Sequence, residues 1–438
     1  MRNNKSVIGM AVASALLAMS GGVQASGFAL IEQSASGMGN AFAGGAAGAE
    51  DASTVFFNPA GMSRIDGNQV AVAAHAIKPS SKLKDGGSTG AALQTAGGNG
   101  GDAGDWAVVP NAYATTRINE VLHFGIGVNA PFGLQTKYNS DWIGRFQAVK
   151  SKIETINVNP SLAYQVNDQL TLGLGLDYQH IKGKLTGMVN YSAAAFNAGG
   201  LPLLGAIGGA GVEGLSTVTG NDSAWGYNVG ALFEFTPQTR AGLHYRSQID
   251  YTLKGNVAFD NVPAQLAGAL PNGAVTLNIT MPESFSISGF HQLNEQWDVM
   301  ADATRTNWSV FKDLKIDRTS GTNLTTVNEN WKDTWRFALG ANHHYNSQWT
   351  ARAGVAYDQT PIRDAFRTAR IPGNDRTWVT LGGQYKPASA TAIDFAYAHI
   401  FLSDPSIAQD ASATGGGNLV GSYKESVDII SVQLTQNF

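Results

Sequence analysis

His343 and His344 are adjacent, and Asp298 and Asp302 lie four residues apart. Neighbouring residues on a strand face opposite sides, so the two histidines cannot present two nitrogens to one metal ion. Asp298 and Asp302 can share a strand face, yet no Ser/His set or further ligand accompanies them as nucleophile or metal site. The run Gly-Met-Gly-Asn-Ala-Phe-Ala-Gly-Gly at residues 37–45 has the glycines of a phosphate loop, without the preceding strand or the spacing. There is no cysteine, which removes disulfides and thiolate metal sites. These absences argue against an enzyme, a metal centre or a cofactor. A net charge of -4 gives no electrostatic case for nucleic acid. What remains are residues that bind: apolar clusters and a few scattered cations.

The elements that must hold them are strands. Outside the first 25 residues, apolar and polar positions alternate again and again. Leu170, Leu172, Leu174, Leu176 and Tyr178 interleave with Thr171, Gly173, Gly175, Asp177 and Gln179. Ile156–Val166, Trp225–Phe235, Trp335–Ala341, Trp349–Tyr357 and Ile430–Phe438 follow the same rule. A soluble sandwich also alternates. However, charged residues are only 14% of the chain, below the roughly 25% of soluble domains. Segments of about nine to eleven residues suit a tilted membrane crossing, and Trp, Tyr and Phe gather at their ends as in interfacial girdles. Six short polar links, around residues 118, 167, 237, 294, 346 and 389, define twelve strands. A strand over Gln69–Ile77 precedes them and one over Ser426–Phe438 follows. The expectation is an all-β, 14-stranded antiparallel transmembrane β-barrel with short turns on the periplasmic side and long loops outside.

Residues 1–25 read as a signal peptide: Arg2 and Lys5, then a short apolar stretch from Val7 to Met19, then Val23-Gln24-Ala25 before the cut. That stretch is too short to span a bilayer, which takes about 20 residues. Residues 26–66 precede the first strand of the barrel domain, 67–438. They are rich in small residues and carry Phe28, Leu30, Ile31, Phe42, Phe56 and Phe57, too many apolar anchors for a disordered tail. Fourteen strands leave a lumen that wall side chains do not fill. The segment is expected inside it, as a hatch, with the Asn58-Pro59-Ala60 turn where hatch meets wall.

The stretch Ser26–Met62, ending "FFNPAGM", resembles the hatch of the outer-membrane long-chain fatty acid transporter family. The resemblance continues through "PFGLQTKY", "LTLGLGLDY", "WGYNVGALFEF", "LNITMPESFSISGF" and the block Lys332–Pro361, and covers most of the chain beyond the signal peptide. It implies a fourteen-stranded barrel in the bacterial outer membrane and passive uptake of hydrophobic molecules. It also implies a lumenal pocket with Phe28 and Leu30 against the ligand chain, and a bent third strand that opens the wall sideways. The matching stretch is Ala130-Pro131-Phe132-Gly133, where Pro131 cannot donate to a strand ladder; Pro131 either bends the strand or ends it at a loop.

Two greasy outer segments add to this. One carries Phe196, Leu201, Leu203, Leu204 and Ile207, the other Val262, Leu266 and Leu270. Exposed apolar patches mark binding surfaces; here the two loops can pack on each other as a cap and also hold a capture groove between them. A fatty carboxylate needs a cation. Gly187 and Val327 stand where the family pattern is basic, which leaves Lys182, Lys184, Arg246 and Arg336 as candidates and a neutral cargo, such as an aromatic hydrocarbon, as the alternative. The expected partners are long-chain fatty acids or other hydrophobic small molecules, outer-membrane lipid, and the barrel-assembly machinery through the terminal Phe438. A monomer is expected.

Overall fold

The computed structural model describes residues 27–438. The expected signal peptide lies outside the described residues. Fourteen antiparallel strands close into one ring. They are β1 (Asn68–Asp85), β2 (Ala107–Arg117), β3 (Leu122–Asn129, resuming at Gly133–Lys137), β4 (Lys150–Gln165) and β5 (Leu170–Asn190). Next come β6 (Glu213–Thr236), β7 (Thr239–Arg246 and Ile249–Phe259), β8 (Gly273–Met281 and Ser284–Gln292) and β9 (Trp297–Thr306 and Asp313–Arg318). The ring is completed by β10 (Asn323–Asn328 and Thr334–His344), β11 (Trp349–Asp358), β12 (Arg376–Ala388), β13 (Thr391–Leu402) and β14 (Asn418–Asn437). β1 pairs with β14 from Gln69↔Asn437 to Asp85↔Gly421, which shuts the barrel without an edge.

Alternation decides which way each side chain points. On β5, Leu172, Leu174, Leu176 and Tyr178 are exposed on the outside, while Gly173, Gly175, Asp177 and Gln179 are buried in the lumen. The strands run longer than a bilayer requires; β6 has 24 residues. Beyond the apolar band they continue upward as a polar collar, where alternation no longer signals a strand. The first and last strands therefore extend past the expected Gln69–Ile77 and Ser426–Phe438.

Strands are broken on the long-loop half: β3 at 130–132, β7 at 247–248, β8 at 282–283, β9 at 307–312 and β10 at 329–333. Pro131 and Pro282 lie at two of these breaks, where a missing N–H costs the ladder nothing. The break in β3 has a special result. Its pairing with β2 stops at Ala112↔Val128, and the resumed part pairs only with β4, as in Leu134↔Ile153. The wall is parted between Ala107–Asn111 and Ala130–Leu134.

Residues 27–67 fold within the ring as three short helices, α1 (Ala35–Gly39), α2 (Gly45–Gly48) and α3 (Thr54–Phe57), and a 3-10 turn over Pro59–Arg64. The Ser34 hydroxyl caps α1 by accepting from the Gly37 amide at 3.1 Å. α1 packs on β12, β13 and β14, α2 on β7, β8 and β9, and the 3-10 turn on β4, β5 and β6. These contacts lie on opposite arcs of the ring, so the segment crosses the lumen. It rests on bare glycine: a Cβ at Gly242 would stand 1.9 Å from the Ala46 carbonyl oxygen, and one at Gly173 would stand 2.3 Å from the Ala60 amide nitrogen. Gln69 joins three parts at once. Its Oε1 accepts from the Ala52 amide of the hatch at 2.6 Å, and its Nε2 donates to Asn437 Oδ1 of the last strand at 2.8 Å.

Candidate lumenal pocket and wall opening

The hatch meets the wall where the wall is broken. The Leu30 amide donates to the Pro131 carbonyl at 2.8 Å, and the Gly133 amide donates to the Phe28 carbonyl at 2.8 Å. These bonds make Ala29 and Phe132 a bridged antiparallel pair. Gln33 Nε2 adds a bond to the Ala130 carbonyl at 3.0 Å. The Thr155 hydroxyl of β4 accepts from the Phe132 amide at 3.0 Å and donates to the Phe132 carbonyl at 2.7 Å. Without the hatch, the Ala130 and Pro131 carbonyls and the Gly133 amide would lose these partners, and buried orphans are costly.

Behind this stitch lies a lumenal cavity of about 150 Å³. Ala29, Leu30, Ile31, Phe42, Phe56 and Phe57 supply its apolar hatch side, and Pro131, Phe132 and Trp308 its apolar wall. The polar side comes from His244, Arg246, Asp302, Arg336 and Asp358. A second cavity of about 90 Å³ opens at the parted wall, lined by Val108, Pro110, Ala130, Ile156 and Lys182. Leu30 and Phe132 line both cavities, so these two side chains form the partition between lumen and wall opening.

Phe28 stands beside the cavity, fully buried in an aromatic nest. Its ring centroid is 4.8 Å from Trp308, 5.5 Å from Trp331, 5.6 Å from Phe311 and 6.1 Å from Phe132. The residues that reach ligand space are its successors, Ala29 to Ile31. Trp308, Phe311 and Trp331 come from the break in β9 and the turn before Thr334; no periodicity in the sequence marks them.

The cations divide cleanly. Arg246 is paired with Asp177, donates to the Phe56 carbonyl at 3.0 Å and lies 4.4 Å over the Phe56 ring. Arg336 is buried at the cavity; its Nη2 donates to the Ala41 carbonyl at 2.7 Å, and its Nε and Nη1 have no hydrogen-bond partner among the described residues. Lys182 and Lys184 correct the sequence expectation. Both lie on the outer face of β5, an odd number of residues from lumen-facing Asp177 and Gln179, and cannot reach a lumenal headgroup. Gly187, by contrast, is on the lumen-facing parity and contributes no charge.

Asn58 pins the turn at the hatch's far end. Its Nδ2 donates to the Ala46 carbonyl at 2.7 Å and the Ala231 carbonyl at 3.0 Å, and its Oδ1 accepts from Ala60 at 3.1 Å. Close approach to the wall depends on the wall glycines Gly173 and Gly230, whereas Gly61 makes room for Thr54 within the hatch. Two hatch carboxylates are perturbed. Burial pushes Glu32 up to about 7, against the pull of Arg376 and Arg336. Burial also raises Glu50, but Arg352 at 2.7 Å and Asn342 at 2.8 Å outweigh it and hold Glu50 below the usual range.

At the outer end, the two greasy segments pack on each other. The helical segment α4 (Tyr191–Ala206), broken by a kink at Gly199–Gly200, and the 260–272 segment bury Tyr191 and Leu266 between them, with Leu203 and Ile207 at the seam. Leu204 is buried as well, while Phe196 and Leu201 stay exposed, Leu201 at 73%. His344 faces the lumen, bonded to Asp298 at 2.6 Å, and His343 faces out against Trp297.

Comparison with known proteins agrees with this architecture. The chain is 30% identical over 407 residues to the long-chain fatty acid transport protein of Escherichia coli K12, covering 88% of this chain and 89% of that protein. It is 33% identical over 420 residues to outer membrane protein P1 of Haemophilus influenzae, covering 89% of each. A solved FadL homologue from Pseudomonas aeruginosa superposes with a TM-score of 0.85 at 27% identity, over 94% of this chain and 99% of that one. The toluene transporter TbuX of Ralstonia pickettii shares the fold, with a TM-score of 0.65 at 24% identity over 90% and 96% of the two chains. The family model described as outer membrane protein transport protein (OMPP1/FadL/TodX) matches residues 16–438. The chain belongs to that family, and it is an integral β-barrel of the bacterial outer membrane.

Proposed function

We propose that the protein carries long-chain fatty acids inward across the outer membrane, without an energy source, down a sequence of apolar surfaces. The reading is carried by the partition: Leu30 and Phe132 line both a lumenal cavity and an opening through the barrel wall. Ligand lands at the exposed Phe196 and Leu201 of the outer loops and passes into the lumen. Its acyl chain lies along Ala29–Ile31, Phe56 and Phe57, where burial is worth about 25 cal/mol per Å² of apolar surface. Its carboxylate pairs with the Arg336 guanidinium, whose Nε and Nη1 have no hydrogen-bond partner among the described residues, a charge-assisted contact that a neutral cargo cannot form. In this scheme residues 27–66 are the hatch, and displacement of Leu30 opens the way sideways.

The test is competition binding on the purified protein. Oleate should bind and displace a bound aromatic hydrocarbon. A hydrocarbon that binds tightly and resists oleate at saturation would overturn the fatty acid reading in favour of neutral cargo. Cells lacking the gene should also lose oleate uptake and regain it on complementation.

A further inference from the structure

The outer face of the wall carries positive charge that the transport route leaves unused. Lys82 of β1 stands directly opposite Lys424 of β14, Lys137 of β3 opposite Lys150 of β4, and Lys152 of β4 opposite Lys184 of β5. Directly opposed residues hold their Cβ atoms about 4.5–5.5 Å apart, and like charges there are destabilising. Three such pairs are a recurring cost with no packing reason behind them.

Carboxylates of the chain neutralise little of it. Lys152 pairs with Glu154 at 2.7 Å and Lys82 with Asp102 at 3.7 Å. Among the described residues, Lys137, Lys150, Lys184 and Lys424 have no ion-pair partner. An external anion is the remaining counter-charge.

The height of the patch says which anion. On β5 the outward series runs from Leu172 to Tyr178, and Tyr178 contacts Trp225 of β6 at 4.9 Å as part of the aromatic rim. Lys184 stands six residues further toward the long loops. At about 3.3 Å per residue and a tilt near 40°, that puts the Lys184 backbone roughly 15 Å above the rim, over a headgroup layer about 5–7 Å deep toward which its long side chain reaches back down. The patch also flanks the parted wall, with β14 and β1 on one side and β3, β4 and β5 on the other.

We propose that these lysines bind the phosphorylated headgroup of an outer-leaflet lipid and hold it across the mouth of the wall opening. The spread of the pairs over five strands matches a headgroup bearing more than one fixed phosphate, whereas a single carboxylate neutralises one ammonium at a time. The site does not depend on which cargo the lumen takes.

The experiment uses the full barrel purified in detergent, with bis-phosphorylated lipid A as probe and its dephosphorylated form as control. Native mass spectrometry should show lipid A retained by the wild type and retention reduced at least tenfold in Lys137→Gln/Lys150→Gln/Lys152→Gln/Lys184→Gln. Dephosphorylated lipid should not be retained. Equal retention by wild type and variant, or of both lipids, overturns the proposal. Displacement of lipid A by inorganic phosphate at low millimolar levels would make this a free-anion site, and stoichiometric displacement by oleate would make it a cargo site; either result overturns it too. Thermal melting gives an answer that does not depend on the variant folding: lipid A should raise the wild-type melting temperature and dephosphorylated lipid should not.

Discussion

The Leu30 amide and the Pro131 carbonyl, 101 positions apart in sequence, share a hydrogen bond of 2.8 Å. The N-terminal segment thus supplies the strand pairing that the wall lacks at its break. Ala29 and Phe132 face each other there as a non-hydrogen-bonded pair, the closer of the two antiparallel arrangements, with Cα atoms about 4.5 Å apart. The chain has no cysteine of its own, so Ala29→Cys/Phe132→Cys should oxidise cleanly to a disulfide. We expect oleate uptake to fall at least tenfold on oxidation and to recover with reductant. Unchanged uptake by the fully oxidised protein would exclude this route.

Arg336 should separate acids from neutral lipids. Replacing it with Met keeps most of the side-chain volume and removes the donors. Binding of oleate should weaken about tenfold, near 1.4 kcal/mol, and binding of oleyl alcohol should change far less. Equal losses for both ligands would show that the arginine only supports the fold.

The Glu32 carboxyl makes hatch docking depend on pH. Its value in the folded protein is about 7, above the 4.5 of an ordinary glutamate. Its contribution is therefore fully present below pH 4.5 and is lost as pH rises through 7, a change on the order of 3 kcal/mol. Hydrogen exchange in residues 27–67 should quicken over that range, and Glu32→Gln should flatten the profile. A wild-type profile with the opposite slope would refute the assignment.

Gly242→Ala should unseat the hatch while sparing the barrel. The new methyl would meet the Ala46 carbonyl at 1.9 Å, a backbone atom that cannot swing aside. Overpacking of this kind costs about 1–3 kcal/mol. Limited proteolysis should cut within residues 27–67 far faster than in the wild type, and heat-modifiable mobility of the barrel should persist.

The strand count was legible because short turns and two-residue alternation are local signals. Leu172 to Tyr178 announce their outward face without any partner strand. The same parity, carried four residues on, already places Lys182 outside; proximity in sequence to a family cation position obscured it. The breaks in β7, β8 and β9 were not legible, and neither was the nest of Trp308, Phe311 and Trp331 around Phe28. The nest depends on contacts between segments some 280 to 300 residues apart, and a single tryptophan near a turn looks the same whether it packs on a hatch or on lipid. Pro131 announced a break in the ladder, but its pairing with Leu30 needed the folded chain. The mutual packing of Leu203 and Leu266 was a reading that composition allowed, and only the assembled loops show it.

Gln69 gives the architecture a thermodynamic consequence. Its side chain bonds the hatch at Ala52 and the last strand at Asn437, while its backbone belongs to the first strand. Seating the hatch and zipping the final seam are therefore cooperative: each lowers the free energy of the other. A barrel that closes around an empty lumen leaves this amide unsatisfied at the very place where the ring must stay shut. Filling the lumen is in that sense part of the final assembly of the wall.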